Sequence, residues 1–416
     1  MRLHANTTCA GKDTFVTPNT PAIVVGAGVN GLGVARSLAR ARVPVWLMDS
    51  DERRPEMHTR VAKALKVPAL HGDALIEALE HLGTARFSGT RPVLLLTQEE
   101  TVKTVSQHRE RLAPLYRFRL PAREVVDALL HKHGFQRLAE QLGGPIPPLV
   151  HVRALADLPL LEKLKYPVVV KPGERHAAYG RQFKKAYRLE TEGEAAELVR
   201  RILSVMPDVV VQEWIEGRDS DIYFCLQYLD GQGRVVASFT GRKIRSWPPQ
   251  VGGTASCTAA PEAHAELSEL TARFFRGVGV AGMAGMEYKR DSRTREFRMV
   301  EPTIGRTDYQ EEVATLNGVN LPHAAWCCEL GLPFTKTAAI GRPIAWRVRS
   351  EDVQSAALQG QSPTDGYPRG GRMADALFRW TDPSPYLVQN FRRIRNALHT
   401  RTARITSGSR PAGSKL

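Results

Sequence analysis

Cysteine is scarce in this chain. Its five cysteines, at positions 9, 225, 257, 327 and 328 of 416, form no CxxC pair and no even framework. That usage speaks against a disulfide scaffold or a cysteine-ligated zinc, and it fits a reducing compartment. Long apolar runs are missing as well. None approaches the ~18 residues a membrane helix needs, so membrane insertion is not expected. The opening MRLHANTTCAGKDTF lacks the apolar core of a secretory signal. A cytoplasmic location is therefore the expectation. Acids are in short supply too: 58 Lys and Arg face 43 Asp and Glu, a formal charge of +15. The last thirty residues carry seven cations and no acid. Such a tail can touch nucleic acid, an acidic partner or an anionic membrane, but it reads first as a solvated end. No aromatic-interleaved basic motif accompanies the charge, which argues against nucleic acid.

What is present is a chain long enough for two or three buried cores, with ordinary hydrophobic (42%) and charged (24%) content. PAIVVGAGVNGLGVARSLARARVPVWLMDSD reads as strand, glycine turn, helix and strand, a βαβ unit. PVLLLT at 92–97 predicts a third parallel strand, so the first domain is α/β. AREVVDALLHKHGFQRLAEQLGG predicts helix. YPVVVKPG and VVVQEWIEG then read as buried strands, and DIYFCLQYLDGQGRVVASFTGRKIR as a hairpin turning at Asp-Gly-Gln-Gly. This middle section is α+β, and the chain beyond about 335 is less regular.

Several groups carry chemistry. Gly26, Gly28, Gly31 and Gly33 satisfy GxGxxG between strand and helix, with Asp49 where a dinucleotide site holds its ribose. Equally, such a turn only needs glycine to bend tightly and to offer a helix N-terminus to an anion. Lys171 leaves an apolar strand and needs an anion or solvent for its ammonium, phosphate being the natural partner. Glu213, Trp214 and Ile215 end another strand, where backbone groups can meet an adenine edge and a later acid can meet ribose hydroxyls. Glu287 in GMEYKR and Glu301 in MVEPTIGR each end a strand, and two such carboxylates suit Mg2+ that bridges phosphates. Arg242, Lys243, Arg245 and Arg306 stand ready to neutralise charge around them.

In that order, from about 22 to 335, these motifs resemble the ATP-grasp superfamily, in its carboxylate–amine ligase branch, which includes D-aspartate ligase-like proteins. The resemblance implies a Rossmann-like domain (21–120) after a lead (1–20). An ATP-grasp unit (121–335) follows, with two α+β lobes that clasp ATP, the smaller at about 150–210. A C-terminal extension (336–390) packs on the core, and a basic tail (391–416) follows. By the same resemblance Lys132 and Lys171 reach the nucleotide phosphates, and Lys184 or Lys185, after a phosphate loop GERHAAYGRQ, completes the clamp. Glu213, Trp214 and Ile215 hold adenine, Asp221 the ribose, and Glu287 and Glu301 the Mg2+, with Mn2+ as an alternative ion. Gly26, Gly28 and Gly31 fall on the substrate side. Arg245 and Arg306 are the candidates for the carboxylate or acyl-phosphate oxygens. The implied reaction is ATP-dependent joining of a small carboxylate to an amine through an acyl phosphate, giving ADP and phosphate. A homodimer is compatible with the resemblance. One departure stands out: Thr303 occupies the place of the family's asparagine, and Arg306 comes one position late. Two other readings compete. One is a dinucleotide-dependent oxidoreductase built on the glycine turn; the other is a degenerate, non-catalytic ATP-grasp protein.

Overall fold

Short, nearly uninterrupted apolar runs build the first sheet, because helices cover it on both sides. The structure is a computed structural model, which describes residues 19–173, 181–184, 186–335 and 342–406. Strands β1 (Ala22–Val25), β2 (Val45–Asp49), β3 (Lys63–Lys66) and β4 (Val93–Leu96) pair in parallel in the order β3-β2-β1-β4. β1, β2 and β4 are buried throughout, between the helices Gly28–Arg40 and Gly72–Ala85 and their neighbours. β3 is an addition to the sequence reading. Its lysines make it a polar, mostly exposed edge, which carries no apolar signal and discourages further pairing.

The helical stretch that follows is two helices, Arg123–Leu130 and Lys132–Gln141, broken at His131. Gly134 lies against the Ala128 carbonyl, where a Cβ has no room. Beyond it, β5 (Leu149–Val152), β6 (Val168–Pro172), β7 (Tyr187–Leu189) and β8 (Val209–Glu213) form an antiparallel lobe in the order β5-β8-β6-β7. The helix Glu192–Leu203 covers it, started by a Thr191–Glu194 capping box. Val152, Val168, Val170, Val199, Ile202 and Val211 fill a core shared with neither of the other two clusters. Each such side chain contributes about 1.5–3 kcal/mol on burial, so this lobe packs on its own account.

The large lobe is one sheet built from β9 (Ile222–Leu229), β10 (Val235–Trp247), β11 (Gly253–Ala259), β12 (Gly282–Arg290), β13 (Phe297–Ile304), β14 (Ile344–Arg347) and β15 (Arg372–Asp375). Their order is β13-β12-β9-β10-β11-β14-β15, antiparallel except for β14 and β15. The region past 335 is thus more regular than its sequence suggests, for it supplies two strands of this sheet. It also supplies the helices Arg349–Leu358 and Ser384–Thr406, so the basic stretch from 391 starts as helix.

Two buried ion pairs fasten this extension. Arg36, on the first helix, donates to the Asp382 carboxylate at 3.0 Å and to the Ala376, Leu377 and Asp382 carbonyls. Thr59 and the Arg60 amide donate to Asp382 as well. Arg245 of β10 donates to Asp352 at 2.8 Å, and both side chains are buried.

Candidate functional site

The two acids meet as the sequence suggests. β12 and β13 are antiparallel and Glu287 stands directly opposite Glu301, so both carboxylates project from the same face of the sheet. The register then skips: Tyr288 pairs with Met299, leaving Val300 as an extra residue. That bulge re-aims Glu301 at the edge strand, where Pro302 is also tolerated. Two facing carboxylates, completed by waters and phosphate oxygens, suit Mg2+, which rarely has an all-protein cage. Among the described residues no three His, Cys, Asp or Glu gather to make such a cage.

Lys243 of β10 reaches one member of this pair, Glu287. Its ammonium is 2.8 Å from Glu287 Oε2 and its side chain is almost wholly buried, while Glu287 keeps partial exposure. Burial alone lowers the lysine pKa, but the Glu287 charge overrides it and the net shift is upward. Arg306 follows Gly305, whose left-handed backbone (φ 66°) has no room for a Cβ beside Leu120. After that turn Arg306 donates to the Thr307 carbonyl at 3.0 Å and to Asp308 at 3.4 Å. Thr303 also reaches Asp308, at 3.5 Å. The late arginine and the substituted threonine therefore share one acid, which the sequence reading did not single out.

Arg245 does not join them. It donates to Asp352, Gln361 and the carbonyls of Pro363 and Asp365, sealed from solvent beside Tyr367. The reason is local. Between Lys243 and Arg245 the β10–β11 register slips by one residue, which breaks the period-two alternation. Lys243 consequently reaches Glu287 while Arg245 reaches the C-terminal extension. In this structure Arg245 is a fastening residue, and Lys243 is the β10 cation beside Glu287.

The small lobe gathers its cations at the end of β6. Lys171 donates to Gln212 Oε1 at 3.0 Å, and Lys132, at the start of its helix, donates to the Gly173 carbonyl at 3.3 Å. Gln212 is itself held by Gln136 and Pro147. Lys184 is exposed, and its amide donates to the Tyr187 hydroxyl. Most of the expected phosphate loop (174–180), with Lys185, lies outside the described residues.

At the hinge, Glu213 accepts from the Lys165 amide at 2.9 Å and the Trp214 amide donates to Pro167. Ile215, half-buried, follows them out of β8. The Trp214 ring is flanked by Lys289, 4.5 Å from its centroid, and by Arg188 at 5.5 Å. Asp221 accepts from the Arg218 amide and pairs with Arg290 at 3.6 Å. Asp219, nearby in sequence, is buried under the amides of Ser246 and Gln250 and serves the fold.

The glycine turn closes the far side. Gly26 has φ 94°, and a Cβ on Gly31 collides with the Gly26 carbonyl, so both positions demand glycine. Gly28 (φ 38°) starts the helix. Asp49 does not await a ribose: it is buried, accepts from the Ala27 amide at 2.8 Å and pairs with Arg54 at 3.2 Å. Two residues past Gly28, Asn30 exchanges hydrogen bonds with Thr307, donating to its carbonyl at 2.9 Å and accepting from its hydroxyl at 2.9 Å. The turn is thereby brought to the Arg306–Asp308 segment.

No protein-family model matches the sequence, and no curated protein sequence does. Solved structures do match in fold. The biotin carboxylase domain of Hydrogenobacter thermophilus 2-oxoglutarate carboxylase aligns over 78% of this chain and 73% of its own, at 13% identity and TM-score 0.60. N5-carboxyaminoimidazole synthetase from Staphylococcus aureus aligns over 82% and 85%, at 14% identity and TM-score 0.61. The corresponding synthase of Aspergillus clavatus aligns over 78% and 81%, at 15% identity and TM-score 0.57. The chain therefore has the ATP-grasp fold that its motifs resemble.

Proposed function

We propose that this ATP-grasp chain is an ATP-dependent ligase that joins a small carboxylate to an amine. The observation that carries the reading is the presence of two sets of groups, one in each lobe. Lys132 and Lys171 converge on the end of β6, and Glu287, Glu301 and Lys243 converge on β12 and its neighbours. Each set suits one part of a nucleoside triphosphate: cations for the phosphates, paired acids for the metal. The similar proteins are described as complexes with MgADP and bicarbonate, or with ADP and an aminoimidazole ribonucleotide. Those ligands are the kind a carboxylate–amine ligase handles.

In this reading the carboxylate oxygen attacks the γ-phosphorus in line, ADP leaves, and an acyl phosphate forms. The amine nitrogen then attacks the acyl carbon; phosphate departs with the C–O electrons, and nitrogen gives its proton to solvent. Catalysis rests on position and charge. Lys132 and Lys171 hold the phosphate tail, and Arg306, steered by Asp308 and Thr303, receives the carboxylate. Lys243 neutralises the phosphoryl oxygens as charge moves onto them. Glu287 and Glu301 would hold Mg2+, which would supply charge neutralisation to the phosphates.

The dinucleotide alternative loses its ribose acid, since Asp49 is spent on Ala27 and Arg54. A nucleotide binder without turnover is the second reading, favoured by Thr303 in the place of the family's asparagine. ADP release from MgATP, with and without pools of amino acids, small dicarboxylates and bicarbonate, separates them. Pool-stimulated ADP that disappears in Glu301→Ala and Lys171→Ala is the expected result. Magnesium-dependent ATP binding without ADP under every pool supports the non-catalytic reading, and no ATP binding overturns both.

A further inference from the structure

Lys289 is a nearly buried cation with no ion pair among the described residues. It retains only 7% of its exposure. Every acid close enough to influence it is already engaged elsewhere: Glu216 with Arg188 at 3.1 Å, Asp221 with Arg290, Asp291 with Arg293 at 3.1 Å, and Asp219 with backbone amides. None lies within ion-pair distance of the Lys289 ammonium, whose recorded contact is the face of Trp214. Burial lowers its pKa, with Asp219, Glu216, Asp221 and Asp291 opposing. An unpaired buried ammonium costs folding energy, so a compensating use is expected of it.

Its position suggests the use. The pairing of β12 with β9 is regular, so Lys289 leaves the strand on the same side as Glu287, two residues and about 7 Å further along. Glu287 marks the metal end of the cleft, and Trp214, which Lys289 touches, belongs to the hinge segment assigned to the base. Four carboxylates act on this place electrostatically, and they disfavour a phosphate there. A neutral group rich in lone pairs fits instead.

We propose that Lys289 contacts the base of the bound nucleotide, donating to a ring-nitrogen acceptor of a purine seated against Trp214. This rests on the ATP reading of the cleft and makes Lys289 a specificity-determining residue within it.

The test compares the full chain with Lys289→Met, which keeps the stem and removes the ammonium. MgATP, 7-deaza-ATP and 3-deaza-ATP are titrated by calorimetry at one pH, and thermal unfolding is followed without ligand. The expected results are a ligand-free Tm equal to or above that of the unaltered protein and about tenfold weaker MgATP binding, which is ~1.4 kcal/mol. One deaza analogue should bind the unaltered protein about tenfold more weakly than ATP, and the variant should not distinguish the two. A variant that binds all three nucleotides like the unaltered protein overturns the inference, as does a lower Tm with unchanged affinity. If the unaltered protein binds no MgATP, the ATP reading itself fails, and that outcome is distinct from the others.

Discussion

Replacing Asp352 by alanine asks what Arg245 is for. Asp352 is fully buried and accepts from Arg245 at 2.8 Å, Ser256 at 2.6 Å, Tyr367 at 2.8 Å and Arg347 at 3.4 Å. Its loss leaves the Arg245 guanidinium charged in the interior with only neutral acceptors, Gln361 and the Pro363 and Asp365 carbonyls. Breaking one side of a buried pair costs about 3–5 kcal/mol, whereas replacing both partners by apolar residues is often neutral or better. Asp352→Ala should therefore lower the urea midpoint by roughly 1–2 M, taking m near 3 kcal/mol/M. Arg245→Met/Asp352→Leu should recover most of that. ADP formation per folded molecule should stay within about threefold in the double variant, since in this structure Arg245 faces the C-terminal extension. A double variant of normal stability that loses a hundredfold or more in ADP formation would refute this reasoning and return Arg245 to the chemistry.

Two further outcomes are expected. Lys243→Met should lower the rate of ADP formation by about 10²–10³, the scale of a lost oxyanion donor, and leave MgATP affinity within tenfold; an equal loss in both would make Lys243 a ground-state binder. Glu311 is buried, with its pKa pushed up to about 8 first by desolvation and then by Glu312. Its folded pKa lies above its unfolded one, so the folded state binds the extra proton. Stability should decline from about pH 4.5 to 8, with a slope contribution of at most about 1.4 kcal/mol per pH unit. Glu311→Gln should flatten that slope in urea titrations at several pH values, and an unchanged slope would mean the carboxyl is not the group responsible.

Where a signal was local, the sequence carried it. The glycine turn, β6 and the β9–β10 hairpin are visible because an apolar run or a turn dipeptide lies within a few residues. The Glu287–Glu301 meeting is legible for a similar reason, since each acid follows an apolar run, but neither ends its strand as expected: β12 continues to Arg290 and β13 to Ile304. What stayed hidden depends on contacts far along the chain. β3 reads as loop because an edge strand needs no apolar face, and β14 and β15 are too short to show a period. That Lys243 rather than Arg245 reaches Glu287 turns on a single slipped residue in β10, which alternation cannot foresee. Asp308 was overlooked because nothing in its immediate sequence marks it; only the Gly305 turn brings it to Arg306 and Thr303.

The Arg36–Asp382 clasp also sets a clock. The two residues are 346 positions apart. At a synthesis rate of about 5–20 residues per second, Arg36 waits roughly 20–70 s on the ribosome before its counter-charge exists. Throughout that interval the first sheet has its strands, but one of its helices carries a cation whose carbonyl and carboxylate acceptors have not been made. Helix formation and collapse take microseconds, so the nascent domain samples its unfinished state many times over. The N-terminal domain is thus born early and finished late, and its final locking reports that the extension has arrived.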